Sequence, residues 1–203
     1  MPTTDSYGQG VQIASLTDAP DAAKLARDLA DGLVPRSNLR FADAAERNAT
    51  ITAPAASMEA WLKAEKLKTV YDGTNWVVMA AGTSSWTTPT LVSGFAHNGN
   101  NNGTFQYRVV NLFGERALML RGAVSVTYSP SIPNSGILMA SPLPTSARPS
   151  VLRTVNIPCS DVGSTRISLK LDIKTDGHLE IFGTNSTDNR PAWIGFNGTI
   201  VSL

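Results

Sequence analysis

Charged residues are scarce in this chain. Asp, Glu, Lys and Arg make up 16% of its 203 residues, and the formal net charge is +1. Globular proteins usually carry about a quarter of their residues as charged side chains. A protein that holds nucleic acid by its phosphates needs a cluster of basic residues, and the sequence contains no such cluster. The composition therefore argues against nucleic-acid binding and indicates a neutral surface rich in Asn, Thr, Ser and Gly.

Cysteine and histidine are rarer still. Cys159 is the single cysteine, so stability has to come from packing or subunit association, and we expect a small buried side chain there. His97 and His178 have no His, Cys or carboxylate at ligand spacing, which predicts no metal site. For His97 one alternative stays open, an ion held by three copies of the residue around a symmetry axis.

Long apolar runs and catalytic motifs are also missing. No eighteen consecutive residues are apolar, which predicts no membrane-spanning helix, and the first residues lack the pattern of a secretory signal. No Gly-x-Ser-x-Gly, phosphate-binding glycine loop or His-Glu-x-x-His motif is present. Asp172 and Glu180 are expected on the exposed polar face of one hairpin rather than opposed across a cleft. We therefore predict no enzyme, no catalytic residue, no cofactor and no metal.

What the second half does contain is a series of short strands separated by turn-forming residues. Turns are indicated at Ser129-Pro130, at residues 133–136 and at Asp176-Gly177. This spacing predicts an antiparallel sandwich or barrel. Of the two we expect the β-sandwich, jelly-roll-like, and hence a mainly β protein with a smaller N-terminal α+β region. The predicted strands are residues 103–111, 116–128, 136–140, 150–156, 166–173, 178–182 and 193–201.

The clearest hairpin covers residues 168–182. Leu169, Leu171 and Ile173 alternate with polar residues, which predicts one buried and one solvated face. The polar residues are Ser168, Lys170, Asp172 and Lys174. Asp176-Gly177 supplies the positive φ of a tight turn.

Residues 1–36 are predicted to form an arm and a short helix. Val11, Ile13 and Leu16 alternate as in a strand, and Thr17 or Asp18 is the expected helix N-cap, with Pro20 in the first turn. The apolar stripe of the helix consists of Ala22, Leu25, Ala26, Leu29, Ala30 and Leu33. A stripe this narrow needs a surface to lie against, either in the same subunit or on two sister helices.

Residues 37–83 are predicted to form a small β-rich module that attaches or spaces the domain following it. Its ordered features are residues 38–51 (NLRFADAAERNATI), Ala53-Pro54, residues 57–62 (SMEAWL) and residues 69–77 (TVYDGTNWV), with a hairpin turn at Asp72-Gly73. This order is similar to a segment of minor tail proteins from phages that infect actinobacteria. The alternative is an ordinary small β-domain without a specific partner.

The remainder, residues 84–203, resembles the head domain at the end of many bacteriophage tail-fibre and baseplate receptor-binding proteins. The resemblance rests on residues 110–124 (VNLFGERALMLRGAV), 143–149 (LPTSARP) and 171–181 (LDIKTDGHLEI), in that order, and on Trp86 followed by Thr-Thr-Pro. It implies a homotrimer in the virion tail, made in the bacterial cytoplasm, with residues 1–83 contacting other virion proteins.

The resemblance also implies a non-catalytic protein that recognises a saccharide of the host cell wall. Sugars bind to aromatic side chains together with amide and hydroxyl groups. Such residues are frequent in the predicted loops, and the candidate ligand-binding residues are Trp86, His97, Asn98, Asn101, Tyr128, Asn185, Asp188, Arg190 and Trp193. For Trp193 a core position in the last strand is the alternative. Two other functions stay open, a purely structural virion protein and a glycan-degrading head.

Overall fold

A computed structural model describes residues 3–5, 11–14, 21–82 and 84–203. The chain divides into two compact units, residues 1–82 and 83–203. It is mainly β, as predicted, and both α-helices of its described part belong to the first unit. A further division of the first unit at residue 36 stays a prediction.

The first unit combines helices with short strands. Within its described residues it contains two α-helices and six strands, which are β1 (Thr3–Thr4), β2 (Gln12–Ile13), α1 (Ala22–Leu33), β3 (Asn38–Phe41), α2 (Ala44–Thr50), β4 (Glu59–Leu62), β5 (Leu67–Tyr71) and β6 (Trp76–Ala81).

Helix α1 lies on the surface of this unit. Asp21 is its N-cap, with a side chain that accepts a hydrogen bond from the Lys24 N–H at 2.8 Å. The caps expected from the sequence, Thr17 and Asp18, lie outside the described residues, as do Leu16 and Pro20. No residue of α1 is buried, and its three leucines are 40% to 56% exposed.

Four strands of the first unit form a sheet in the order β3-β4-β5-β6. Strands β3 and β4 are parallel, and α2 makes the crossover connection that parallel neighbours require. Strands β5 and β6 form the predicted hairpin. Its turn is closed by Asp72 Oδ1, which accepts from the N–H groups of Thr74 and Asn75 at 2.7 Å each, while Gly73 has φ +105°. The hairpin prediction is confirmed.

The second unit is built from short antiparallel strands. Within residues 84–203 these are β7 (Phe95–His97), β8 (Gln106–Leu112), β9 (Glu115–Arg121), β10 (Ala123–Val126), β11 (Arg153–Pro158), β12 (Ser168–Ile173), β13 (Leu179–Phe182), β14 (Trp193–Gly195) and β15 (Thr199–Ser202). They form three sheets, in the orders β7-β10-β14, β8-β9-β15 and β11-β12-β13.

A single apolar core joins the three sheets. Phe105 and Phe196 are fully buried at its centre, with ring centroids 4.5 Å apart. Leu169, Leu171 and Ile173 point into the same core, as the alternation in the predicted hairpin requires. Cys159 is also buried. The predicted antiparallel sandwich is therefore present, and its interior is apolar.

Two predicted strands are each divided in the structure. Residues 116–128 were expected as one strand but form β9 and β10, which separate at Gly122 and belong to different sheets. Residues 193–201 likewise form β14 and β15. Strand β9 pairs with β15, and β10 pairs with β14. The two divided segments, residues 116–128 and 193–201, therefore bend side by side and pass together from one sheet to the next.

A third strand prediction is wrong. Residues 136–140 form no strand of a sheet; they follow the 3-10 turn Pro133–Gly136 and make only the isolated bridges of Ile137 to Glu180 and of Met139 to Leu91. Gly136 has φ +91°, and a Cβ there would stand 2.3 Å from the carbonyl oxygen of Ile181. The backbone at Gly136 therefore packs directly against β13, and residues 136–140 do not continue as a strand.

Candidate functional site

The bend in the two long strands requires glycine at position 122. Gly122 has φ +82°, and a Cβ there would stand 2.0 Å from the carbonyl oxygen of Thr104. No side chain fits in that space, and positive φ also disfavours other residues. The Phe196 N–H donates to the Gly122 carbonyl oxygen at 2.8 Å, so the two bent strands remain hydrogen-bonded at the corner.

An open depression of about 360 Å³ lies at this corner, and we call it the bend groove. The residues that line it carry amide, hydroxyl and backbone polar groups and one guanidinium. The lining residues are Asn102, Gly103, Thr104, Gln106, Arg121, Gly122 and Asn197.

Two asparagines hold the loops around the bend groove. Asn197 Oδ1 accepts from the Gly122 N–H at 2.7 Å, and Asn197 Nδ2 donates to the Asn102 carbonyl oxygen at 3.4 Å. Asn98 Oδ1 accepts from the Gly103 N–H at 3.0 Å. These bonds tie the loop of residues 98–103 and the turn at residues 197–198 to the corner, so the groove is formed before any ligand arrives.

Trp86 lies beside the groove in contact with two arginines. The guanidinium carbons of Arg108 and Arg121 stand 4.4 Å and 4.2 Å from the centroid of its ring. The segment containing Trp86 is fixed by backbone bonds in both directions between Thr87 and Tyr107 on β8. Trp86 therefore orients two cationic side chains, and ligand binding by its ring stays a prediction.

Gln106 links this arginine pair to the groove. Its Oε1 accepts from Arg121 Nε at 2.8 Å and from Arg121 Nη2 at 2.6 Å, while its Nε2 donates to Thr88 Oγ1 at 2.8 Å. The strands bring Gln106 and Arg121 directly opposite one another in the register of β8 and β9. Arg121 is thus held at the groove by a neutral partner.

The other residues predicted near this end of the molecule have different roles. Asn98 shapes the groove through Gly103, and the exposed Asn101 directly precedes Asn102. His97 pairs with the fully buried Val124 and shares its face of the sheet. Its Nδ1 is buried and has no hydrogen-bond partner in the described part of the chain.

Tyr128 and Arg190 form a second group beside the neighbouring sheet β7-β10-β14, and Trp193 lies on β14 of that sheet. The Arg190 guanidinium lies 5.3 Å from the Tyr128 ring centroid, and the Tyr128 hydroxyl donates to the Pro191 carbonyl oxygen at 3.3 Å. Burial raises the pKa of Tyr128 well above its ordinary value, with a smaller contribution from Cys159 that outweighs the opposing effect of Arg190. Trp193 is half-buried, whereas Ile194 beside it is the fully buried core residue of β14.

Asn185 and Asp188 are engaged within their own loop. Asn185 Oδ1 accepts from the backbone N–H groups of Thr187, Asp188 and Asn189 at 2.9 to 3.0 Å, and Asn185 Nδ2 donates to Asp188 Oδ1 at 2.5 Å. Hydrogen bonds from Asn185 and Thr187 hold the pKa of Asp188 below its ordinary value. These side chains shape the loop, and ligand binding by them stays a prediction.

The carboxylates considered for hydrolysis, Asp172 and Glu180, are direct cross-strand neighbours. Asp172 is only 6% exposed, so the expectation that it lies on a solvated face is wrong. The reason is its partners: Thr154 Oγ1 donates to Asp172 Oδ1 at 2.6 Å, and Lys170 Nζ lies 3.0 Å from Oδ2. Glu180 is paired with Lys174. Each acid therefore has its own ammonium partner.

In the described part of the chain, no three His, Cys, Asp or Glu side chains gather as a metal site would need. His178 contacts Asp176 at 3.1 Å. No helix of the described residues is long and apolar enough to cross a membrane.

Comparisons with known proteins give one structural neighbour to report. No protein-family model matches the chain, and no curated protein matches it. A solved structure, the receptor binding protein (gp15) of Listeria phage PSA, is similar with a TM-score of 0.43 at 18% sequence identity. The match covers 59% of this chain and 64% of that protein, so it spans less than two thirds of the neighbour. A similarity of this size carries no argument about function.

The predicted site residues do not include Gln106, Arg121 and Asn197 of the groove, or Arg108 beside it. A signal for Gln106 and the two arginines was present, because Gln106 and Arg108 alternate with apolar residues on β8 and Arg121 ends the next strand. Two arginines on the outer face of one sheet would have marked that face. Asn197 gave no such signal, since its contact with Gly122 spans 75 residues.

Proposed function

We propose that this chain is a bacteriophage tail receptor-binding protein that binds a saccharide of the host cell surface in the bend groove, without chemistry. The sequence resemblance of residues 84–203 to receptor-binding heads supports the setting. The observation that carries the ligand class is the bend groove itself, an open depression lined by amide, hydroxyl and guanidinium groups.

The chemistry of the groove suits a sugar. A saccharide presents many hydroxyl groups, each of which donates and accepts, and it binds to side chains that do the same. Asn102 and Thr104 offer such groups around one opening, and Arg121 adds donors. A volume of about 360 Å³ lies within the range of small-molecule sites, about 300 to 1,000 Å³.

The proposal includes assembly as a homotrimer, incorporated into the tail through residues 1–83. The apolar stripe of α1 supports it. Leu25 and Leu29 are each 40% exposed and Leu33 is 56% exposed, although all three lie on one side of a twelve-residue helix. Sister helices would cover this stripe. Three equal sites would then raise the apparent affinity for a cell surface without any new contact.

Binding to cell-wall saccharides tests this proposal directly. We expect the purified protein to bind a subset of a panel of bacterial cell-wall polysaccharides in biolayer interferometry and to release no reducing ends from them. Thr104→Tyr places a large side chain into the groove at an exposed position and should abolish binding. The control, Arg190→Gln, alters the second aromatic group and should leave binding unchanged.

Three results would contradict the proposal. Failure to bind any member of the panel, with a folded protein, favours the purely structural role. Release of reducing ends favours the glycan-degrading role. Loss of binding in Arg190→Gln but not in Thr104→Tyr would move the site to the Tyr128 group.

A further inference from the structure

Arg108 and Arg121 place two positive charges on one outer face of the sheet β8-β9-β15. In the register of β8 and β9, Arg108 is opposite Met119 and Arg121 is opposite Gln106, so the two arginines are diagonal neighbours on that face. Both guanidinium groups contact Trp86. We propose that this pair is an anion subsite, which selects saccharides carrying a carboxylate or phosphate group; the inference rests on the proposed function of the groove.

No carboxylate of the described residues neutralises this pair. Among the described residues, the ion pairs do not include Arg108 or Arg121. Glu115, the acidic residue of β9, lies at the far end of the strand from Arg121, about 20 Å away at the usual rise per residue. Two like charges brought to one ring repel each other, and an oxyanion between or beside them relieves that repulsion.

The side chain that holds Arg121 is neutral. Gln106 accepts two hydrogen bonds from the Arg121 guanidinium through Oε1. A glutamate of the same length would make these bonds and also cancel the charge. The amide fixes the direction of the guanidinium and preserves its charge for a ligand.

Arg108 has unused donor capacity. A guanidinium carries five N–H donors. Besides its contact with the Trp86 ring, Arg108 makes one weak hydrogen bond, from Nη2 to the sulfur of Met119 at 3.6 Å, among the described residues. An anionic oxygen reaching this face would accept from its remaining Nη donors. Planar, two-oxygen groups such as carboxylate and phosphate match the guanidinium fork.

The arginine pair adjoins the bend groove. Arg121 lines the bend groove and also contacts Trp86, so it belongs to both features. A sugar ring in the groove, held by Asn102 and Thr104, would carry an acidic substituent toward the arginine pair. Neutral and charged parts of one ligand therefore find complementary groups on adjoining surfaces.

The test compares matched ligands. Affinities are measured by isothermal titration calorimetry for neutral hexose oligomers, for the same oligomers with the C6 hydroxyl oxidised to carboxylate, and for the same oligomers with C6 phosphate. We expect at least one anionic form to bind at least about tenfold more tightly than its neutral parent. The two anionic forms distinguish a carboxylate ligand from a phosphate ligand. The preference should weaken on raising NaCl from about 0.05 M to about 0.5 M.

Three variants localise the effect. Arg108→Gln and Arg121→Gln remove the charges, and Gln106→Glu keeps the shape but supplies an internal partner for Arg121. Each should lower the ratio of anionic to neutral affinity at least about tenfold. Arg116→Gln removes a charge from the other end of β9, where Arg116 donates to the Ser146 carbonyl oxygen, and should leave the ratio unchanged. Thermal unfolding confirms that each variant is folded.

The outcomes separate this inference from the proposed function. Equal affinity for neutral and anionic forms, or an unchanged ratio in Gln106→Glu and both arginine variants, overturns the anion subsite and leaves saccharide binding in place. Absence of binding by every form, neutral and anionic, overturns both. A ratio that falls equally in Arg116→Gln shows a general effect of net charge and also overturns the subsite.

Discussion

The Phe196 N–H donates to the carbonyl oxygen of Gly122 at 2.8 Å, across the corner where two strands leave one sheet and enter another. Gly122 stands between β9 and β10, and Phe196 follows β14 directly. The bond keeps the two strands paired through the bend, and the bend creates the groove to which the proposed ligand binds. The fold and the site therefore depend on the same corner.

Replacing Gly122 tests this dependence. Gly122→Ala places a methyl group 2.0 Å from the Thr104 carbonyl oxygen at φ +82°, and we expect a loss of at least about 3 kcal/mol of unfolding free energy. The matched control is Gly114→Ala, at φ +100° with no atom within 4 Å of the added Cβ, which should cost only about 1 kcal/mol. Urea denaturation measures both. Equal losses would mean that the corner tolerates a side chain.

The ring contact between Phe105 and Phe196 predicts a second effect. Both side chains are fully buried, and Phe196→Ala should cost about 3 to 5 kcal/mol because a cavity is left in the core. A double-mutant cycle with Phe105→Ala should give a coupling of about 0.5 to 1.5 kcal/mol beyond burial. Phe113→Ala, at an 88% exposed position, is the control and should change stability by less than about 0.5 kcal/mol. Additive losses would contradict the coupling.

Asp172 should make stability depend on acid pH. Burial raises the pKa of this carboxyl, but hydrogen bonds from Thr154 and Lys170, with the charges of Lys170 and Lys174, outweigh it and lower the pKa below its ordinary value. A group with a depressed folded pKa stabilises the protein above its unfolded pKa, about 3.9 for Asp, and that stabilisation is lost as pH falls through the folded value.

The Asp172→Asn variant tests the effect of this lowered pKa on stability. Asp172→Asn should be less stable than the parent at pH 7, by about 1 to 3 kcal/mol for a lost charged hydrogen bond, and the difference should shrink as pH falls below about 4. Asp161→Asn, at an exposed residue, provides the comparison. Chemical denaturation is measured from about pH 2.5 to about pH 7, with about four points per pH unit. A stability difference between Asp172→Asn and the parent that stays constant over this range would contradict the assignment.

Helix α1 predicts the oligomeric state. Replacing Leu25 and Leu29 by Ser removes the exposed apolar stripe, and we expect the trimer to dissociate to monomers in multi-angle light scattering. Arg27→Ser alters the opposite side of the helix and should leave the mass unchanged. A parent protein that is already a monomer, or a trimer that survives both leucine changes, would contradict the proposed role of α1.

The sequence was most informative where the structure depends on local signals. The hairpins at Asp72-Gly73 and Asp176-Gly177 were predicted correctly because a positive-φ turn between alternating strands is written in neighbouring residues. The buried alternation of Leu169, Leu171 and Ile173 was predicted for the same reason. These elements can be predicted from neighbouring residues, without information about the rest of the chain.

Features that depend on distant residues were not predicted. Gly122 lies inside an apolar run that resembles one continuous strand. A side chain is excluded there because the carbonyl oxygen of Thr104, on another segment, occupies the space. Asp172 is buried because Thr154, 18 residues away, supplies its hydrogen bond. The groove required the same kind of information, since Asn197 reaches Gly122 only in the folded protein.

One measurement tests the central claim most directly. The protein has four tryptophans, Trp61, Trp76, Trp86 and Trp193, whose indole N–H signals are resolvable in a ¹⁵N-labelled sample titrated with a cell-wall saccharide that binds. Binding in the bend groove predicts that the Trp86 signal shifts with saturation while the signals of Trp61, Trp76 and Trp193 stay in place. A shift of Trp193 with an unmoved Trp86 would contradict the account and place the ligand at the Tyr128 group.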